Sequence, residues 1–304
     1  ITCTQHSYSY DAFNEIMETW RTRLDWSGTG IIPIVAERNS NHVALIISCL
    51  VHEIPFIPID ADTPKDRIEL IESLCGQKAV YPDSAEAIIP ILPNPVFAPR
   101  MAYAIATSGS TGVPKLVGVK RTGYEAAIDA WVTSYSQVPN DKVLQAVSFS
   151  FDVFLGDLGR SFFLGAELVL LDAFQRKDPM EIARQIREHE ATLFETTPLI
   201  IRWWIDEGHL EVPSLRYLIV GSDAWTVAEM EALQAIVGDG TQVVNNYGLS
   251  ETTIDNSILA DPQGYAKGLM VPIGHAMQHS HLSITDEAGH RLPPGMEGYI
   301  CIDG

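Results

Sequence analysis

"TSGSTGVPK", Thr107 to Lys115, follows directly on the apolar run "MAYAIA" at 101–106. Its nine residues hold two glycines, four hydroxyl side chains, a proline and a lysine. A Gly/Ser linker is the ordinary reading of "SGSTG". An apolar strand that empties into such a loop, with lysine at the far end, also meets the needs of a phosphate cradle. Glycines allow close backbone approach, hydroxyl and N–H groups donate to oxyanions, and Lys115 supplies a positive charge. The P-loop pattern of Walker-type NTPases fails here at two positions, because Pro114 precedes Lys115 and Leu116 follows it.

On both sides of this loop, helix and strand signals alternate. "YDAFNEIMETWRTRL" at 10–24 sets Phe13, Ile16, Met17, Trp20 and Leu24 on one helical face. "DPMEIARQIREHE" offers Asp178 as N-cap and Pro179 at the first helical position, with Ile182 and Ile186 inward. "TVAEMEALQAIVG" repeats the period and stops at Gly238. Between them lie the strand-like runs "GIIPIVA", "ELVLLD", "ATLFET", "LRYLIVG" and "TQVVNNYG". Strand, helix, strand in turn predicts an α/β fold of mostly parallel, helix-covered sheets. From about residue 270 the helical period gives way to hairpin signals, with turns at Glu287–Gly289 and Pro293–Gly295, which predicts the beginning of a small β-barrel. The proline-rich stretch 82–100 reads as a connector. The expected division is therefore a first α/β lobe over 1–100, a second over 101–265 and the start of a barrel over 266–304.

Composition narrows the function classes. The chain has 304 residues, 46% hydrophobic, with 20 Lys plus Arg against 39 Asp plus Glu and a net charge of -19. Such a surface repels nucleic acid and anionic membranes, so neither is expected as a partner, and an anionic ligand must be held by a local site. Cys3, Cys49, Cys75 and Cys301 form no CxxC pair, which argues against a zinc cluster or a disulfide framework. The longest apolar run, "VALIISCLV" at 43–51, is about half a membrane span. No signal peptide is recognised, and the expectation is a soluble, cytoplasmic protein.

"TSGSTGVPK" resembles the phosphate loop of the adenylate-forming enzymes, which include acyl-CoA ligases, luciferases and the adenylation domains of nonribosomal peptide synthetases. Further matches follow in that family's order: "FIPIDADTPKDRI" at 56–68, "SFSFDVFLGDL" at 148–158, "NNYGLSETT" at 245–253 and "GYICIDG" at 298–304. By this resemblance the chain is identified as a member of the peptide-synthetase adenylation branch. The resemblance implies activation of an amino acid as its adenylate at the expense of ATP, with Mg²⁺, and transfer to the phosphopantetheine thiol of a peptidyl carrier protein. Condensation-type domains are the implied neighbours, and an antibiotic or siderophore peptide is the implied kind of product. Since the attacking carboxylate is already an anion, catalysis needs positioning and phosphate-charge neutralisation more than a general base.

Carried over residue by residue, Thr107, Ser108, Gly109, Ser110, Thr111, Gly112 and Lys115 would hold the β- and γ-phosphates. Ser250 would touch the α-phosphate and Glu251 would bind Mg²⁺; Lys115, Ser250 and Glu251 are thus the implied catalytic residues. Asn246, Tyr247 and the Gly221–Ser222 backbone would flank adenine. Leu249 and Ser250 stand where proline and threonine are usual, and His275 where arginine often stands. The family's ribose-binding aspartate, hinge and lysine-bearing C-terminal lobe fall beyond Gly304. The expectation is therefore the large N-terminal portion of the fold, with the C-terminal lobe absent and this polypeptide alone inactive or nearly so.

The resemblance also implies a side-chain pocket lined by Asp152, Val153, Gly156, Glu195, Ile219, Gly221, Asn246, Ile254 and Asp255. Asp152 would anchor an α-ammonium; a fatty or aryl acid would leave it buried and unpaired. Glu195 and Asp255 would lie at the far end, where two carboxylates repel unless a cation joins them. Gly156 and Gly221 would leave length for an extended side chain. The lining resembles that of ornithine-activating domains, with lysine, diaminobutyrate and guanidino acids as the next candidates. An acyl- or aryl-CoA ligase, or a non-catalytic nucleotide- or amino-acid-binding fragment, are the competing readings.

Overall fold

The computed structural model describes residues 1–3, 6–24, 30–84, 100–107, 114–278 and 280–303. In chain order its strands and helices are β1 (Thr2–Cys3), β2 (His6–Ser7), α1 (Tyr10–Arg23), β3 (Ile32–Ala36), α2 (Ser40–Val51), β4 (Phe56–Asp60), α3 (Lys65–Cys75), β5 (Met101–Thr107), β6 (Lys115–Lys120), α4 (Arg121–Ser134), β7 (Lys142–Gln145), α5 (Asp152–Phe162) and β8 (Glu167–Leu170). There follow α6 (Pro179–His189), β9 (Leu193–Thr196), α7 (Pro198–Glu207), β10 (Tyr217–Val220), α8 (Val227–Val237), β11 (Gln242–Tyr247), β12 (Ser257–Leu259), β13 (His275–Ala276), β14 (His281–Thr285) and β15 (Tyr299–Asp303).

The helices begin where their caps dictate. Ser9 accepts from the backbone of Ala12, Asp178 from Met180 and Glu181, and Thr226 and Glu229 form a reciprocal capping box. α2 is apolar all round and His42 to Leu50 are buried in succession, as an interior helix should be. Its twelve residues make the run at 43–51 a core helix, and among the described residues no helix is long and apolar enough to cross a membrane.

Among the described residues the larger sheet runs β13-β12-β11-β10-β9-β7-β8-β1-β2, with β11-β10-β9-β7-β8-β1 all parallel. The smaller sheet runs β3-β4-β5-β6. The largest core joins both sheets through Ile34, Phe56 and Ile105 on one side and Val143, Leu193, Ile219 and Val244 on the other, with α1, α2, α4 and α5 between them. A second core lies under α6, α7 and α8 on the far face of the larger sheet, and a third under α3 on the far face of the smaller. The parallel, helix-covered architecture expected from the alternating signals is present. β14 and β15 pair antiparallel as a separate ribbon, with Gly289 and Gly295 at positive φ in its two turns.

The sheets divide the chain differently from the expected lobes. The cut after residue 100 falls within the smaller sheet, between β4 and β5, while β1 pairs with β8 far along the chain. Lys115–Lys120 was not legible as a strand, because it is an edge strand with lysine at both ends and a glycine within; it pairs antiparallel with β5 so that Thr107 faces Lys115. Thr107 and Lys115, which flank the segment 108–114 in the sequence, are thus neighbours.

Candidate active site

Strand register decides which side chains share the site. Ile219 pairs with Glu195 on β9 and with Val244 on β11. Side chains alternate along each strand, so Glu195, Ile219, Val244 and Asn246 face α5, while Phe194, Leu218 and Val243 face the opposite core. Gly221, just past β10, continues the α5 face; a side chain there would press on the Asn246 carbonyl at 3.2 Å. On α5, Asp152, Gly156 and Arg160 recur every four residues along one face of the helix. Val153, Ile219 and Ile254 are buried in the core cluster beneath.

The turn after β11 supplies the rest. Thr253 and Ile254 both take positive φ, 67° and 69°, costly for β-branched residues. The turn folds back on Gly248, where an added Cβ would sit 1.6 Å from the Ile254 carbonyl oxygen. That reversal leaves Glu251 half-exposed on the rim and drives Asp255, 7% exposed, into the interior.

On the rim, the Lys115 ammonium is paired with the Glu251 carboxylate. The hydrogen bond from Lys115 holds the Glu251 carboxyl below its usual range, so it is anionic at neutral pH. Ser250 Oγ donates to Asp152 Oδ2 at 2.6 Å. Burial nevertheless pushes the Asp152 carboxyl up, against the Ser250 bond, and among the described residues no cation pairs with it. The Thr107 hydroxyl, at the end of β5, is buried with no hydrogen-bond partner among the described residues. Ser108, Gly109, Ser110, Thr111 and Gly112 lie outside the described residues. Ser222 is exposed at a positive φ of 69°, and Tyr247 ends β11.

In the interior, Glu195 (3% exposed) and Asp255 do share one environment, and neither is solvated. The cation between them, however, belongs to the chain. The Arg160 guanidinium, 1% exposed, is bonded to Glu195 and lies 3.6 Å from Asp255 Oδ2 and 3.9 Å from Asp157 Oδ1. Its ring neighbours are Trp131 at 4.8 Å and Tyr135 at 5.9 Å. Asp255 Oδ2 also accepts from Trp131 Nε1 at 2.8 Å, and Asn246 Nδ2 donates to the Tyr135 hydroxyl at 2.6 Å. Gly156 does not open empty length as expected: a Cβ there would already meet Arg160 Nη2 at 3.0 Å and Trp131 at 3.4 Å.

Sequence reasoning missed Arg160 and Asp157. Their signal was present: an Asp–Arg pair three residues apart in the otherwise apolar and small "VFLGDLGRS" at 153–161, the buried part of the helix. Burial pushes the Asp157 carboxyl up to about 7, opposed by Arg160, and pushes Glu195 and Asp255 upward too. Among the described residues no group of three or more His, Cys, Asp or Glu is arranged to hold a metal. A single rim carboxylate, Glu251, suits a hard cation that takes its other ligands from phosphate oxygens.

Lys115→Ala is expected to leave the fold within about 0.5 kcal/mol, because the side chain is half-exposed and its ion pair lies on the surface. If the rim carries phosphate chemistry, the same variant should lose about a hundredfold in turnover, the scale of removing one preorganised donor. Thermal melting and ATP–pyrophosphate exchange on the same preparation separate the two effects.

The sequence profile of the family described as "AMP-binding enzyme" matches residues 82–304. Gramicidin S synthase 2 of Brevibacillus brevis is 29% identical over 300 residues, which cover 90% of this chain and 7% of that protein. Tyrocidine synthase 3 of Brevibacillus parabrevis is 33% identical over 211 residues, covering 67% of this chain and 3% of that one. The chain thus spans less than about a tenth of the length of these curated relatives. The crystal structure of the nonribosomal peptide synthetase FmoA3 in its α-methyl-L-serine-AMP bound form superposes with a TM-score of 0.81 at 21% identity, covering 99% of this chain and 37% of that one.

Proposed function

We propose, since this chain belongs to the family of AMP-binding enzymes, that it takes part in activating an amino acid as its adenylate. The substrate carboxylate attacks the α-phosphorus of ATP, the bond to the β-phosphate oxygen breaks, and pyrophosphate leaves. Transfer of the aminoacyl group to the phosphopantetheine thiol of a carrier protein, beside condensation-type domains, is the accompanying step. Similarity to segments of peptide synthetases supports this wider setting.

The observation that carries the reading is Asp152. It is a largely enclosed carboxylate at the N-terminal end of α5, held by one hydroxyl and matched by no internal cation among the described residues. An α-ammonium supplies the missing charge; an acyl or aryl acid without one leaves the carboxylate uncompensated, which disfavours that reading. Lys115, the buried Thr107 hydroxyl and the loop that begins there suit the phosphates. Glu251 would hold Mg²⁺, which when bound neutralises phosphate-oxygen charge. Ser250 lies within reach of both roles, since its hydroxyl already orients Asp152.

The substrate side chain is basic, with ornithine the first candidate. Arg160 lies between Glu195 and Asp255, where the substrate's cation was expected, yet the cluster of acids around it still favours one. Asp157, Glu195 and Asp255 converge on a single guanidinium, and all three carboxyls are pushed upward by burial. Carboxyls that burial keeps protonated ionise when a cation arrives, so this cluster favours a ligand that brings one.

ATP–pyrophosphate exchange over a panel of amino acids tests the reading in the full-length polypeptide. Ornithine should stimulate exchange above neutral amino acids. Asp152→Ala should reduce activation of every α-amino acid by roughly 2–5 kcal/mol, about 30- to 4000-fold. Exchange driven by fatty or aryl acids and indifferent to Asp152 would refute it.

A further inference from the structure

We infer that Arg160 is a specificity-determining residue of the side-chain pocket, one that admits a substrate ammonium and shuts out a substrate guanidinium. The inference rests on the amino-acid-activating reading above and goes beyond it to the class of cation.

Arg160 stands eight residues after Asp152 on the same face of α5, so the helix that anchors one end of an amino acid also furnishes the wall at the other. Its guanidinium lies over the glycine at 156 and across the Trp131 ring, 4.8 Å from the centroid. A flat, delocalised head needs such a surface: an aromatic face, and carboxylates in its own plane. Here that slot is filled from within the chain. An arginine-like substrate would have to expel Arg160 from contact with Glu195 and Asp255, exchanging one guanidinium for another with no gain in charge.

A compact ammonium faces a different situation. Three carboxyls surround this guanidinium, and those that burial keeps protonated can ionise against an entering cation. Asn246, 3% exposed and on the same face as Glu195, keeps its Oδ1 without a hydrogen-bond partner among the described residues, while its Nδ2 is committed to Tyr135. A buried amide oxygen left open beside this group of acids is an acceptor able to take a donor. An ammonium carries three rotatable donors on a small head and can use Asn246 Oδ1 together with a carboxylate oxygen without claiming the Trp131 face. The substrate class that fits is an α-amino acid with a short chain ending in an ammonium.

Exchange kinetics in the full-length polypeptide with ornithine, arginine and norvaline decide the matter. The wild type should favour ornithine over arginine by roughly 10- to 200-fold in kcat/KM, the scale on which a filled pocket rejects excess bulk. Arg160→Ala vacates the slot, and the ornithine-to-arginine ratio should fall at least about tenfold. Because both substrates report on the same protein, a merely weakened fold would lower both rates and leave the ratio unmoved. Arg160→Lys keeps the internal charge, guards against misfolding of the alanine variant, and should shift the ratio in the same direction by freeing the Trp131 face. A wild type that activates arginine as well as ornithine, or a ratio unmoved in the substituted proteins, would overturn the role of Arg160 while leaving a basic substrate standing. Norvaline activated best by the wild type would instead overturn the basic-substrate reading itself.

Discussion

Glu195→Gln is expected to cut activation of ornithine by roughly 30- to 4000-fold, the equivalent of about 2–5 kcal/mol for truncating one partner of a desolvated charge pair. The same change should not destabilise the free protein. Removing one partner of a buried pair is ordinarily damaging because it strands the other. Arg160 is not stranded here, since Asp255 and Asp157 remain within 3.6 and 3.9 Å. Burial already raises the Glu195 carboxyl toward its neutral form, which a glutamine amide mimics. Asp255→Asn should act in the same direction, with the amide oxygen still available to Trp131 Nε1. The double variant should cost less than the sum, because both acids serve one cation.

A pH series adds an independent check. Folding raises the Asp157 carboxyl from its ordinary 3.8 to about 7, with burial as the main cause, and moves Glu195 in the same direction. Between those values the folded state binds more protons than the unfolded one. The contribution of these groups to stability is therefore complete at low pH and is lost as pH rises toward neutrality. Chemical denaturation from pH 4 to 8 should show that decline in the wild type and a shallower one in Glu195→Gln. Unchanged ornithine activation in Glu195→Gln and Asp255→Asn would remove these acids as determinants of specificity.

Gly248→Ala is expected to be severely damaging, since among the described glycines it has the closest backbone obstacle. Its Cβ would lie 1.6 Å from the Ile254 carbonyl oxygen and 2.8 Å from the Asp255 Cα, both backbone atoms that no rotamer change can move aside. Overpacking in ordinary cores costs about 1–3 kcal/mol, and an obstacle made of backbone puts this case at the upper end or above. If the turn yields, it shifts between Glu251 on the rim and Asp255 in the interior. A displacement of about 1 Å at such a site typically costs about a hundredfold in rate. Either a drop in melting temperature or a folded protein with exchange reduced at least about a hundredfold should result. A variant that melts and turns over like the wild type would mean that the close approach at Gly248 is not needed. Gly240, where an added Cβ meets nothing within 4 Å among the described residues, provides the control as Gly240→Ala.

The amino-acid sequence by itself determined the parallel, helix-covered architecture. Periodicity and capping are local properties: Asp178 before Pro179, Thr226 before Glu229 and the strand-like runs at 193–196, 217–220 and 242–247 needed no distant partner to be read. The ordered motifs marked the same elements, and Glu195, Ile219 and Asn246 lie toward the carboxyl ends of β9, β10 and β11, the edge at which α/β sheets commonly bind ligands. Three things were decided only in three dimensions. The lobes are not consecutive in the chain, because β1 joins β8 and β5 joins β4 through pairings that no local pattern encodes. The second strand flanking "TSGSTGVPK" is an edge strand, held by its pairing with β5 and weakly marked by its own residues. Above all, the charge balance of the pocket could not be summed from the carboxylates alone. Residues recurring at intervals of four meet on a helix face, but whether Arg160 points to solvent or fills the gap between Glu195 and Asp255 depends on what packs over α5. Trp131 from α4 and Tyr135 just past its end close that face to water, and a guanidinium shut in with three carboxylates has nowhere else to find its counter-charge.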